Sequence, residues 1–226
     1  MPISSSTFRR VTQSPFPRRN LRVPGEGPQP CRCMLVGEKP GRDESHRGKP
    51  FVGLSGKYLD LCLSAANIDR STLFITNCVF TFTEYSKPAQ WELDRDKPAL
   101  IAEILACDPE IIGLLGGWSV EWVLGRVKSE IEKIHGVSIA VDSLFGGELT
   151  FSSLTSSHPG TAWTVLPMLH PANCLHQPEI MGAVLDDVLT LGKLLDGEVG
   201  LVRDEVDEGD LDYRIATAKD LEEILP

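Results

Sequence analysis

The sequence predicts an α/β fold: a single domain with a mainly parallel central sheet and helices on both faces, flanked by flexible N- and C-terminal tails. Two observations predict it. Short apolar runs recur at residues 33–36, 73–76, 110–115 and 164–169, as expected of strands buried on both faces. Segments with apolar residues at helical spacing separate most of these runs, and strands that alternate with helices pair in parallel through crossover connections. At 226 residues and 42% hydrophobic, the chain can bury one sizeable core.

Residues 1–30 are rich in Ser, Pro and Arg with little periodicity and read as a basic tail. The domain follows over 31–195. Its first strand, 33–36, stops at Gly37, Pro40 and Gly41, so it should end in a functional loop. After Ser55-Gly56, the spacing of Leu59, Cys62, Leu63 and Ala66 predicts a helix. A second strand over 73–76 leads to Asn77. A helix over 98–106 places Leu100, Ile101, Ile104 and Leu105 on its apolar side, and Asp108-Pro109 marks the turn into the third strand. A further helix is expected over 118–127, after Gly116-Gly117. Residues 137–151 are poorly patterned, with Gly146-Gly147 suggesting a hairpin or loop. The run 164–169 is a strand entering His170-Pro171, and Ile180, Val184, Val188, Leu191 and Leu195 share one face of a last helix over 178–195. In such a sheet the carboxyl ends of the strands form the ligand crevice, so the loops after Val36, Ile75 and Leu169 should converge.

The net charge of −10 is unevenly spread, for residues 196–226 hold eleven acidic residues against three basic ones. The rest of the chain is nearly neutral. Residues 1–22 contain Arg9, Arg10, Arg18, Arg19 and Arg22 and no acid, which suits an arm that tracks phosphates, a solubilising tail or a transit segment; Pro15 and Pro17 argue against the amphipathic helix of the last. No apolar run approaches the length of a membrane span, and no secretory leader is recognisable. Six scattered cysteines in a chain of this size read as reduced thiols, so a cytoplasmic location is expected.

The order and spacing of four pieces carry the chemistry: Gly37-Glu38-Lys39-Pro40-Gly41, then Pro50-Phe51-Val52-Gly53, then Thr76-Asn77, then His170-Pro171. Together they resemble the motif set of the uracil-DNA glycosylase superfamily, most closely its family 4. The resemblance implies hydrolysis of the bond between uracil and deoxyribose in DNA; no metal or other cofactor is expected in this chain, because it lacks the family's cluster ligands. Phe51 would stack on the flipped base. Asn77 would donate to uracil O4 and accept from N3–H, a pairing that cytosine cannot satisfy. His170 would stabilise the departing anion near O2 as a neutral donor. Glu38 and Glu44 match two carboxylates that orient water or stabilise charge on the sugar, while Gly37, Lys39, Pro40 and Gly41 would line the base site. His158-Pro159 is a second His-Pro pair; His170 is preferred because it follows an apolar run and precedes a helix.

The chain departs from that pattern in two places. Lys39 stands where the family has a small residue, and can obstruct the pocket or assist the anion. Family 4 also holds a four-iron, four-sulfur cluster on four cysteines, whereas Phe80-Thr81-Phe82 stands at the third ligand position and the helix over 98–106 lacks the fourth. Cys62, Cys78 and Cys107 instead read as small core residues. Residues 213–226 resemble the opening of the exonuclease domain of family A DNA polymerases, with Thr217 and Asp220 forming a capping box. That leaves a rival: a non-catalytic, uracil-sensing module attached to a DNA polymerase or exonuclease.

Overall fold

The structure is a computed structural model that describes residues 22–85, 87–125, 130–153, 162–198 and 202–203. The three short apolar runs expected in the first half become β1 (Cys33–Gly37), β2 (Leu73–Asn77) and β3 (Ile111–Leu115), with every residue buried. Strands β4 (Ile139–Val141), β5 (Ser143–Leu144), β6 (Leu149–Thr150), β7 (Trp163–Met168) and β8 (Val202–Arg203) follow. The main sheet has the order β2-β1-β3-β7-β4-β8. Its pairings are parallel except that of β4 with β7. β5 and β6 form the small hairpin anticipated at Gly146-Gly147.

Alternation along the strands divides the core between the two faces. Met34 and Val36 of β1 pack on one side with Leu100, Ile104 and Val120, which lie on α3 (Gln90–Cys107) and α4 (Gly117–Leu124). Leu35 and Met168 pack on the other with Leu59, Leu63, Val188 and Leu191, from α2 (Leu54–Ala65) and α6 (Met181–Asp196). Each such Leu or Val, removed from water, contributes about 1.5–3 kcal/mol. Two short helices complete the order: α1 (Arg42–Arg47) after the first motif loop and α5 (Ile131–Ile134) before β4.

Two stretches differ from the sequence reading. Helix α3 begins at Gln90 rather than near Pro98, which lies inside it. Its first half hides its buried side because two of the inward residues, Glu92 and Asp96, are acidic. Asp96 is satisfied by Phe80 N–H at 2.9 Å, Arg22 Nη1 at 2.8 Å and Arg95 Nη2 at 2.7 Å. The second difference is the segment 22–31, most of which composition assigned to the tail. It packs along the outer edge of β2, where Glu26 and Ile75 exchange two backbone bonds of 2.9 Å and Val23 N–H donates to the Phe80 carbonyl at 2.7 Å. Edge pairing uses backbone groups alone, so side-chain composition does not announce it. Residues 1–21 and 204–226, with all of the basic arm but Arg22, most of the acidic linker and the exonuclease-like segment, lie outside the described residues, as does His158.

Candidate active site

Parallel pairing brings the first two motif loops side by side. Gly37 and Asn77 are register partners at the carboxyl ends of β1 and β2. The ladder then continues into the loops through Cys78 N–H to the Gly37 carbonyl at 2.8 Å and Val79 N–H to the Glu38 carbonyl at 3.0 Å. His170 leaves β7, two strands away from β1. A recess opens where these ends meet, lined by Lys39, Pro40, Gly41, Glu44, Phe51, Ser55, Asn77 and His170, and encloses about 200 Å³ of space that runs out to solvent.

The rings of Phe51 and His170 stack at a centroid separation of 5.9 Å and an interplanar angle of 26°. Phe51 holds φ at +50°, a left-handed conformation that a bulky side chain adopts only when its surroundings impose it. Those surroundings are polar anchors. Glu44 Oε1 accepts from Val52 N–H at 2.9 Å and Gly53 N–H at 2.6 Å, and Arg70 Nη2 donates to the carbonyls of Pro50 and Phe51 at 3.1 and 3.2 Å. Gly56 completes the fit, because a Cβ there would fall 2.0 Å from the Phe51 carbonyl oxygen.

Asn77 is 1% exposed, and its Oδ1 has no hydrogen-bond partner among the described residues. A buried amide oxygen without a partner costs about 1–3 kcal/mol, so it marks a place where a ligand donor would be welcome. The His170 ring is set by its own turn: Nδ1 accepts from Ala172 N–H at 3.0 Å. That bond assigns the lone pair to Nδ1 and, in the neutral ring, the proton to Nε2. Burial lowers the His170 pKa, with the Glu38 and Glu44 charges opposing, so the neutral donor form prevails near neutral pH.

Glu38 is turned toward the β3–α4 junction, where Oε1 accepts from Trp118 N–H at 3.2 Å, and it is not part of the recess lining. Gly116 leaves room for it: a Cβ there would meet Glu38 Oε1 at 2.4 Å. Lys39 lines the recess, yet its ammonium reaches away to Thr83 Oγ1 at 3.0 Å, the Thr83 carbonyl at 3.3 Å and the Tyr85 carbonyl. Gly37 is constrained from both sides, for a Cβ there would lie 2.6 Å from Asn77 Oδ1 and 2.6 Å from Phe51 Cζ.

The sequence of this site is that of a known family. The profile described as "Uracil DNA glycosylase superfamily" matches residues 24–189. The chain belongs to the uracil-DNA glycosylase superfamily. It is 30% identical over 171 residues to a type-4 uracil-DNA glycosylase of Saccharolobus solfataricus, covering 75% of this chain and 74% of that protein. Similarity to the type-4 enzyme of Archaeoglobus fulgidus is 27% over 173 residues, covering 76% and 81% of the two chains. A DNA polymerase of Bacillus phage SP01 is 26% identical over 176 residues, which are 77% of this chain and 17% of that protein.

The iron–sulfur cluster expected of family 4 does not fit the residues of this superfamily member. Cys31, Cys78 and Cys107 belong to the core on the α3 face, and Cys33, Cys62 and Cys174 to the core on the opposite face, so four thiolates cannot converge. Burial pushes the Cys33 and Cys78 thiols well above their ordinary value. Two contributors to the site lack a motif. Ser55 lines the recess from the first turn of α2, and Arg70 braces Phe51 from a linker nineteen residues away in sequence. Only the hydroxyl beside the Phe-Val-Gly run hinted at the first, and nothing local hinted at the second.

Proposed function

We propose that this chain is a DNA glycosylase that hydrolyses the N-glycosidic bond of uracil in DNA. One observation carries the reading: the buried Asn77, whose Oδ1 has no partner among the described residues, lines a recess together with the stacked pair Phe51 and His170. A flipped uracil stacked on Phe51 would give its N3–H to Asn77 Oδ1 and take the amide N–H at O4. His170 Nε2–H then donates to O2 and strengthens that bond as the ring becomes anionic. Water adds at C1′ as the C1′–N1 bond breaks, releasing uracil and an abasic sugar.

The carboxylates divide this work. Glu38, beside the α4 N-terminus and acting electrostatically on His170, is assigned to orienting water and stabilising positive charge on the sugar. Glu44 contributes its charge as well, but its Oε1 is committed to two backbone amides, so its main task is holding Phe51 over the base. Gly37, Pro40 and Gly41 give the base its backbone surroundings, and Lys39 supports them from the rim.

Similarity to a phage DNA polymerase favours one second reading, a uracil-sensing, DNA-binding module that works beside a polymerase. A single experiment separates the two. The purified chain, incubated in EDTA with a single-stranded oligonucleotide containing one uracil, should release free uracil and leave an alkali-sensitive site. Stoichiometric protein that binds the oligonucleotide and leaves no such site would favour the module.

A further inference from the structure

The strand that delivers His170 is held at its carboxyl end by three bonds outside the sheet ladder. Gly136 N–H donates to the Pro167 carbonyl at 2.9 Å and Gly116 N–H to the Met168 carbonyl at 2.8 Å. The third differs in kind, because Leu169 N–H donates at 2.7 Å to Asp187 Oδ2, a carboxylate of α6 that is 1% exposed. The other oxygen of Asp187 lies 2.7 Å from Nδ1 of His135, the residue that caps the C-terminus of α5. Gly136 makes room for the pair, since a Cβ there would come within 2.9 Å of Asp187 Oδ1. A buried carboxylate is costly to desolvate and persists when both oxygens are engaged. None of the steps assigned to the base site uses this one.

The geometry points to Asp187 and His135 as a pH-responsive positioning pair that sets His170 through the backbone of Leu169. The inference rests on the reading of His170 as the donor to the leaving base. Leu169 directly precedes His170, so the bond from its amide to Asp187 fixes the chain from which the imidazole projects. Displacing a reacting group by about 1 Å costs on the order of a hundredfold in rate. His135, with a side chain 26% exposed, is the member that solvent protons can reach.

Protonation of His135 governs the pair. Its hydrogen bond to Asp187 raises its pKa, burial opposes this, and the charges of Asp187, Asp186 and Glu132 add to the rise. The first two charges come from α6 and the third from α5 itself, while β7, against which α5 packs, carries no titratable residue between Trp163 and Met168. Above that raised pKa the imidazolium is lost, and Asp187 is left as a buried carboxylate beside a neutral ring. The ion pair that fixes Asp187 is then weakened, and Leu169 is bonded to a carboxylate less firmly placed.

The test uses the full chain with two variants and two readouts. In NMR titrations the ring signal of His170 should show an inflection at the pH where His135 titrates, above the ordinary histidine value of about 6.5. Asp187→Asn should return His135 toward that value and abolish the shared inflection. In single-turnover uracil release, Asp187→Asn should lower the rate about tenfold while changing the KM for the oligonucleotide less than about twofold. The wild-type rate should fall through the His135 titration, and His135→Gln, which keeps a donor without a proton to lose, should flatten that step. A His170 signal blind to His135, or a step that survives His135→Gln, overturns the inference. If Asp187→Asn does not fold, His135→Gln on its less buried partner decides. If the wild-type protein releases no uracil, the proposed function fails separately and the NMR coupling alone decides.

Discussion

Gly37 and Asn77 face each other across the β1–β2 ladder so closely that a Cβ on the first would stand 2.6 Å from the amide oxygen of the second. Gly37 is not itself in the recess lining, but its missing side chain leaves Asn77 and Phe51 the room they occupy there. Gly37→Ala should displace Asn77 and Phe51 together, lowering the single-turnover rate of uracil release about a hundredfold. The overpacking should cost about 1–3 kcal/mol of stability, measured by urea denaturation.

Asn77→Asp tests recognition rather than chemistry. A carboxylate keeps an acceptor for N3–H and loses the donor to O4, so uracil release should fall about a hundredfold or more. The exocyclic amine of cytosine is a donor, and slow release from cytosine-containing oligonucleotides should become detectable. Side-by-side assays on uracil and cytosine substrates check both directions.

His170→Ala should lower the chemical step about tenfold to a thousandfold with little change in oligonucleotide affinity. Stability carries a signature of the same residue. Burial holds the folded-state pKa of His170 below its ordinary value, so as pH falls the unfolded chain takes up this proton first. The stability linked to His170 is therefore complete above the ordinary value and is lost as pH falls through the depressed one. Thermal melts of wild type and His170→Ala between about pH 7 and pH 5 should diverge in that sense.

Lys39→Ala addresses the departure in the first motif. Its ammonium is bound to Thr83 and to the Tyr85 carbonyl, so it is drawn away from the recess. The variant should lose about 1 kcal/mol of stability through the freed acceptors, and the rate of uracil release should fall less than tenfold. A larger fall in single-turnover rate, with folding and DNA affinity intact, would make Lys39 part of the chemistry.

How much of this was legible in the sequence differs by the kind of interaction. Strand ends were readable because buried strands are short apolar runs stopped by Gly, Asn or His. Parallel pairing then brings Lys39, Pro40, Gly41, Phe51, Asn77 and His170 to one recess. The tasks of Glu44 and Arg70 were not readable, since both act on backbone groups that approach only in the folded chain. The same holds for the first half of α3, where Asp96 faces inward because Phe80 N–H, Arg22 and Arg95 meet it there. A periodicity that counts apolar residues passes over an inward carboxylate.

The strap from Arg22 to Glu26 has a bearing on assembly. Its two-way bond with Ile75 occupies backbone groups that an unprotected edge strand would offer to any extended chain. At Ile75 the outward N–H and C=O are thus already engaged, so another copy pairing edge to edge along β2 would first have to displace the segment 22–26.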